Sequence, residues 1–423
     1  MSSAAFTRLF LLAAKQAWRH RRRTLLIGSC VILGNVMLIL QLAQGRGQQE
    51  AFMSNMINSL SGHLQVSKVR GGEEAASLFE ADPQKMLPLH ELPALQRALA
   101  QDPRVAASTA RVRFGAMLSR DEDNWNGFIV GVQPESERRV CEGIALASGR
   151  FVRAGAAEIV ISKTVAQERG LALGDSITVL ASTTTRSFNA VELRIVGLLA
   201  DSGLSKFYAR MAYVPIERVQ SLIYLEPGAA YELVVRLHDT AATEAVAAQL
   251  RSRFAGAGGQ GVLQVRTWHD MAGLFLGILE VSKGFRSAMT AFLGTVILIL
   301  VFSSFSVYVL DRAREIATLL ALGLRKGELV VLFVGEAVLV AFVSAAIGLG
   351  LGSAALFWLG KVGIPAFNEA MTYVFAGDRL FPILVAADVL WLLAGSCLIA
   401  VLAALLPVRR ALNADFVETL NRG

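Results

Sequence analysis

"RAREIATLLALGLRKGE", residues 312–328, is a charged stretch set between two long apolar runs, 287–310 and 329–360. Each flank is long enough to cross a bilayer, since a hydrocarbon core of about 30 Å takes roughly 20 apolar residues in a helix. The stretch therefore reads as the turn between two membrane helices. Working outward, residues 24–44 and 380–408 are two further runs of that kind, and Glu336 and Asp388 are the only charges inside any of them. Composition agrees: of 423 residues 54% are hydrophobic and 18% charged, too apolar for an ordinary soluble protein.

The first run follows Arg19, Arg21, Arg22 and Arg23, as the apolar part of a signal peptide would. It is too long for one and no A-x-A-type site follows, so it is expected to be a retained anchor. Lysine and arginine then set the orientation. Arg8, Lys15, Arg19 and Arg21–Arg23 precede the first run; Arg312, Arg314, Arg325 and Lys326 lie between the second and third; Arg409, Arg410 and Arg422 follow the fourth. Only Lys361 and Arg379 lie between the third and fourth. Both termini and the quoted stretch are expected in the cytoplasm, and residues 45–286 outside.

That outer segment has the texture of a folded domain. Strand-like runs rich in β-branched residues occur at 63–69, 127–132, 158–162, 176–182, 191–199, 231–237 and 262–268, with helical patterns at 92–102, 163–173, 215–223 and 240–254. The expected fold class is an α-helical membrane protein with four transmembrane helices and a large extracytoplasmic mixed α+β domain inserted between the first two. Strands are densest over 140–225, which suggests two lobes, one built from both flanks and one inserted. The expected divisions are 1–23 an amphipathic cytoplasmic segment, 24–44 the first helix, 45–286 the two-lobed domain, 287–310 the second helix and 311–328 a cytoplasmic helix. The third helix (329–360), a short external loop (361–379), the fourth helix (380–408) and a cytoplasmic tail (409–423) complete it.

Enzymatic and metal chemistry find little support. Cys30, Cys141 and Cys397 cannot build a disulfide framework in the outer domain, and His20, His63, His90, His238 and His269 lack metal-site spacing. "GLGLG" (348–352) has no following lysine and lies within an apolar run, so it is no phosphate cradle. Ser344, Gly348 and Gly352 instead form a small-xxx-small face suited to close helix packing. No G-x-x-x-x-G-K-[ST] occurs, so no directly bound cofactor and no ATP hydrolysis by the chain itself are expected. No nucleic-acid partner is expected either. Glu336 and Asp388 are functional candidates as intramembrane acids, with pairing to a neighbouring helix the expected role.

Within the quoted stretch Ile316, Leu319, Leu320 and Gly323 fall at i, i+3, i+4 and i+7, which gives a short amphipathic helix. Periodicity alone leaves two readings: an interfacial helix that closes a turn, or a docking surface.

The run 314–352 resembles the signature of the FtsX-like permease domain in the MacB/FtsX family of ABC transporters, with Arg312, Glu315, Ile316, Leu319, Ala321, Leu322 and Gly323 on the pattern and Leu320 departing from a usual basic residue. "LAALLPVRRALNADFVETL" (402–420) resembles the family's ending, with Phe416 in place of a proline, and residues 7–26 resemble its amino-terminal helix. "SGHLQV" (61–66) is similar to a stretch of the lipoprotein-releasing LolC/LolE-like members, and 149–179 to the family's external domain.

The resemblance implies a permease subunit of the bacterial inner membrane, working as a homo- or heterodimer with a separate ABC-type ATPase. It further implies that ATP-driven motion passes through a coupling helix to the external domain, an arrangement called mechanotransmission. The implied coupling residues are Arg312, Arg314, Glu315, Ile316, Leu319, Leu322 and Gly323, with the two leucines as anchors and Arg312 and Arg314 at the rim. Three outputs are open: lipoprotein release, MacB-like efflux of peptides or drugs through a periplasmic adaptor, and FtsX-like activation of a cell-wall hydrolase without transport. "SGHLQV" favours the first.

Overall fold

The computed structural model describes residues 21–70, 86–200, 209–254, 261–368, 371, 372, 375 and 377–413. The expectations for residues 1–20 and 414–423 lie outside them.

In chain order the elements are α1 (Arg21–Asn55), a π-helical turn (Met56–Ser61), β1 (Leu64–Val69), α2 (Leu92–Ala100), β2 (Val105–Arg120), β3 (Asp123–Val132), α3 (Pro134–Val140), β4 (Leu146–Gly149), β5 (Glu158–Ser162) and α4 (Lys163–Glu168). There follow β6 (Ser176–Ser182), β7 (Phe188–Leu199), β8 (Met211–Pro215), α5 (Ile216–Ile223), β9 (Glu232–Leu237), α6 (Thr243–Arg253), β10 (Val262–Thr267) and α7 (Trp268–Met271). The chain then runs through α8 (Gly273–Asp311), α9 (Ala313–Ala321), α10 (Lys326–Val362), β11 (Ile364–Pro365), β12 (Arg379–Leu380) and α11 (Ala386–Asn413).

These elements divide into two units. One holds α1 up to Gln49, α8 from Leu279, and α9 to α11; the other holds the chain from Glu50 to Ile278, with all of β1 to β10, and the segment Ala366–Asp378. In the helical unit, segments of α1, α8, α10 and α11 are long and apolar enough to cross a membrane. Three of these helices outrun the apolar stretches seen in sequence: α1, with 35 residues, is about 52 Å long at 1.5 Å per residue. Backbone hydrogen bonding continues where hydrophobicity stops, so the helix ends do not follow the ends of the apolar runs. The fourth helix departs the other way, starting at Ala386 and not at 380. Arg379 and Leu380 pair with Pro365 and Ile364 as a short ladder, and Pro382 disfavours helix in the residue before it.

The small-residue face of α10 packs against α1. A methyl group added at Gly348 would sit 2.6 Å from the Ile32 carbonyl oxygen, one at Gly28 would sit 2.9 Å from the Ser344 hydroxyl, and one at Gly352 would collide with Ile39. The stripe is therefore occupied within the chain. Asn35, buried on α1, adds a polar clamp: its amide donates to the Ser396 hydroxyl at 2.9 Å and to the Val31 carbonyl at 2.9 Å.

The second unit is built on a ten-stranded mixed sheet in the order β10-β1-β9-β2-β3-β8-β5-β7-β4, with β6 pairing β2 and β7. All seven strand-like runs of the sequence reading lie in it, and β2, β4 and β8 are additional. The flank strands lie toward the β10 end and the strands of 140–225 toward the β4 end. What the sequence divides into two lobes is thus one sheet, because β2, 16 residues long, pairs with β9 along its first half and with β3 and β6 along its second. One apolar core, including Leu64, Phe114, Ile129, Ile159, Val219 and Leu233, runs through both ends.

Candidate coupling site

The turn between α8 and α10 is built by local rules. α9 is followed by Leu322 and Gly323, the latter with a φ of +93° that side chains rarely adopt. The Gly323 N–H donates to Leu320 and the Leu324 N–H to Leu319, which closes the helix with a Schellman motif. Two residues on, the Glu328 carboxylate accepts from the Arg325 N–H at 3.0 Å and starts α10.

The inner face of α9 is anchored. Ile316, 1% exposed, packs in a cluster with Phe305, Val309, Leu329, Phe333 and Val408, and Leu319, Leu320 and Leu324 lie half-buried against it. The rest of the turn is exposed: Leu322 is 74% exposed, and Thr318, Ala321, Gly323, Arg325, Lys326, Gly327 and Glu328 are exposed as well. The amphipathic pattern therefore separates residues that seat the helix from residues that can meet a partner.

Arg312 falls on the inside, which corrects its expected place at a rim. It is 3% exposed. Its Nη1 donates to the Tyr308 hydroxyl at 2.5 Å and to Glu336 at 3.3 Å, and its Nε lies 3.1 Å from Glu315. Tyr308 in turn donates to Glu336. The guanidinium also lies over the rings of Tyr308 and Phe333, at 4.9 and 5.7 Å. The reason is electrostatic: Glu336 in α10 is 2% exposed, a buried carboxylate requires a partner, and the residue that starts α9 supplies it. Glu315 is half-exposed at the pair's edge. Arg314 belongs to α9.

The other intramembrane acid is also paired. Asp388, at the start of α11, accepts from Arg46 of α1 at 2.7 Å. Arg46 escapes a sequence reading that ends the first membrane helix at residue 44, and Asn35 escapes one that looks for charge. The stretch 61–66 is interior: Ser61, His63, Leu64, Gln65 and Val66 are all 4% exposed or less, and Gly62 has a φ of +61°. Among the described residues no His, Cys, Asp and Glu cluster could hold a metal ion.

Comparison with known proteins places these features. The family profile of the MacB-like periplasmic core domain matches residues 24–253, and that of the FtsX-like permease C-terminal domain matches residues 287–416. Among solved structures the chain is similar to the periplasmic region of MacB from Actinobacillus actinomycetemcomitans, at 14% identity and a TM-score of 0.35, covering 52% of this chain and 95% of that one. It is also similar to the extracellular domain of the noncanonic ABC-type transporter YknZ from Gram-positive bacteria, at 14% identity and a TM-score of 0.33, covering 48% of this chain and 99% of that one. None of the curated proteins matches the chain.

Proposed function

The chain belongs to the MacB/FtsX-like family of ABC transporter permeases, and from that premise we propose that it passes the motion of a separate ATPase subunit to its α/β domain through α9. The observation that carries this reading is the division of labour within the turn. Leu322 stands exposed at the end of a helix whose base is fixed to α8 and α10 by Arg312, Tyr308 and Glu336. A push on such a surface moves the helices behind it, because packed interiors shift as rigid bodies and do not deform continuously. ATP is bound and hydrolysed by the partner, and a second permease copy or relative completes the complex. The chain lies in the bacterial inner membrane, with both termini and α9 cytoplasmic and the α/β domain outside.

For the output we retain lipoprotein release, with MacB-like efflux and hydrolase activation as the alternatives. Support for release comes from the resemblance of 61–66 alone, and those residues are buried joints of the fold, so the stretch bears on domain attachment and not on contact with a substrate. Identification of the co-purifying soluble partner separates the three: a lipoprotein chaperone, an adaptor with an outer-membrane channel, or a hydrolase.

The coupling reading is tested with an ABC-type ATPase co-expressed with the chain. Leu322→Asp removes an anchor that is 74% exposed; loss of such an anchor weakens docking by about 2 kcal/mol or more, on the order of thirtyfold. Leu319→Asp also disturbs the half-buried seat of α9, so Leu322 is the cleaner site. Equal co-purification and equal ATP turnover with Leu322→Asp would remove the coupling role from this helix.

A further inference from the structure

The chain enters and leaves the ten-stranded sheet at one place. β1 follows the π-helical turn that continues α1, β10 leads into α7, and the two strands are antiparallel neighbours with Leu64 opposite Thr267. The Trp268 N–H donates to the His63 carbonyl at 3.0 Å, directly across this joint.

The end of the π-helical turn is held by two arginines from the sheet. A helix end leaves carbonyls without partners, and here Arg111 of β2 donates its Nη1 to the Leu60 carbonyl. The same guanidinium is locked from behind: Nε and Nη2 donate to Glu137 of α3 at 3.1 and 2.5 Å, and Nη2 reaches the Cys141 sulfur at 2.9 Å. Arg111 and Glu137 side chains are 4% and 0% exposed. Arg236 of β9 supplies the second hold, donating to the Asn58 side-chain oxygen at 2.9 Å, to the Val140 carbonyl at 3.0 Å and to Glu142 at 3.0 Å. Between them the Gly143 N–H donates to the Asn58 carbonyl at 2.9 Å, and any side chain at Gly143 would meet Ser59.

We propose that Arg111 and Arg236 are positioning residues that grip the π-helical turn after α1, so that the chain from Glu50 to Ser61 and the strands β2 and β9 move as one rigid piece, with no flexible connection between them. Bidentate guanidinium pairs suit this role because their planar geometry fixes orientation as well as distance. A fully buried ion pair contributes little net stability compared with apolar residues of the same volume, which leaves orientation as its contribution here. The inference rests on the mechanotransmission reading above, but its first test does not.

That test uses the full chain in nanodiscs, with Cys30 and Cys397 changed to Ala and spin labels on Glu50→Cys and Arg138→Cys, both exposed and outside the grip. Pulsed dipolar spectroscopy should give one narrow distance. Asn58→Ala with Arg236→Ala should broaden it, Arg111→Met with Glu137→Leu should broaden it further, and Arg236→Lys should restore it in part. An unchanged narrow distribution in Asn58→Ala/Arg236→Ala overturns the role of Arg236 even if the Arg111 variant does not fold; an unchanged distribution in a folded Arg111→Met/Glu137→Leu chain overturns that of Arg111. A second arm adds the ATPase and traps it with ATP and vanadate. The wild-type distance should not move, whereas the grip variants should keep basal ATP turnover and show a trapped-state shift, the signature of slippage. A shift in wild type overturns the rigid grip, while failure of any ATPase to bind speaks only against the proposed function.

Discussion

A guanidinium held between Tyr308, Glu315 and Glu336 has a defined response to substitution. Arg312→Ala leaves Glu336 buried without its cation, and breaking a buried pair from one side destabilises by about 3–5 kcal/mol. Arg312→Met with Glu336→Leu removes both charges and should come within about 1–2 kcal/mol of wild type. Thermal unfolding in nanodiscs distinguishes the two, and equal losses would show that the pair does not act as one. His63 offers a pH response in the other unit. The Leu237 N–H donates to its Nδ1 at 3.2 Å, and its Nε2 lies 3.1 Å from the Thr240 hydroxyl. Its proton therefore sits on Nε2, and a second proton would face the Leu237 N–H. Burial first, then the nearby Arg236 charge, lowers its pKa from the ordinary 6.5 to about 4. Above pH 6.5 the ring is neutral folded or unfolded and pH has no effect through it. Below that the unfolded chain binds a proton that the folded chain refuses, so stability falls as pH drops from about 6.5 toward 4 and then levels. His63→Asn should flatten that part of the melting-temperature profile; an unaltered slope assigns it elsewhere. The acid at 336 was legible in sequence because charge is rare in an apolar run. Its partner was not, because Arg312 lies 24 residues away across a helical turn and reads as one of several surface cations.

Elements were legible where one periodicity dominated. The four membrane helices and seven strands carry continuous apolar runs or β-branched residues, whereas β2, the longest strand, reads "VAASTARVRFGAMLSR". Its alanines and Gly115 have low strand preference, and its central place comes from long-range pairing with β9, β3 and β6, where the buried Arg111 and Arg113 meet Glu137 and Glu232. The small-residue stripe of α10 was legible as a packing face, but sequence did not say which helix it receives. That assignment can be tested within α10 itself. Gly348→Ala forces a methyl onto the Ile32 backbone and should destabilise by about 1–3 kcal/mol. Gly350→Ala has nothing within 4 Å and should be neutral or stabilising by about 0.5–1 kcal/mol. Similar melting temperatures for the two would place α1 elsewhere.

For the whole molecule, the basic-residue asymmetry gives a topology that labelling can check. Glu122→Cys, on the exposed β2–β3 turn, should react with an impermeant maleimide in spheroplasts, and Lys326→Cys should react only after the membrane is opened. The reverse pattern would invert the orientation and with it the proposed direction of transmission. The antiparallel pairing of β1 with β10 carries a mechanical consequence. Because the chain arrives at Leu64 and departs from Thr267 at the same end of this ladder, a tension drawing the two connections apart would load its hydrogen bonds one after another, as a zip opens, and not all at once in shear. That is the weak direction of a ladder whose bonds lie across the strands. The domain should therefore tolerate twisting or pushing of both connections together far better than their separation, which restricts the strokes it can receive without peeling at its own root.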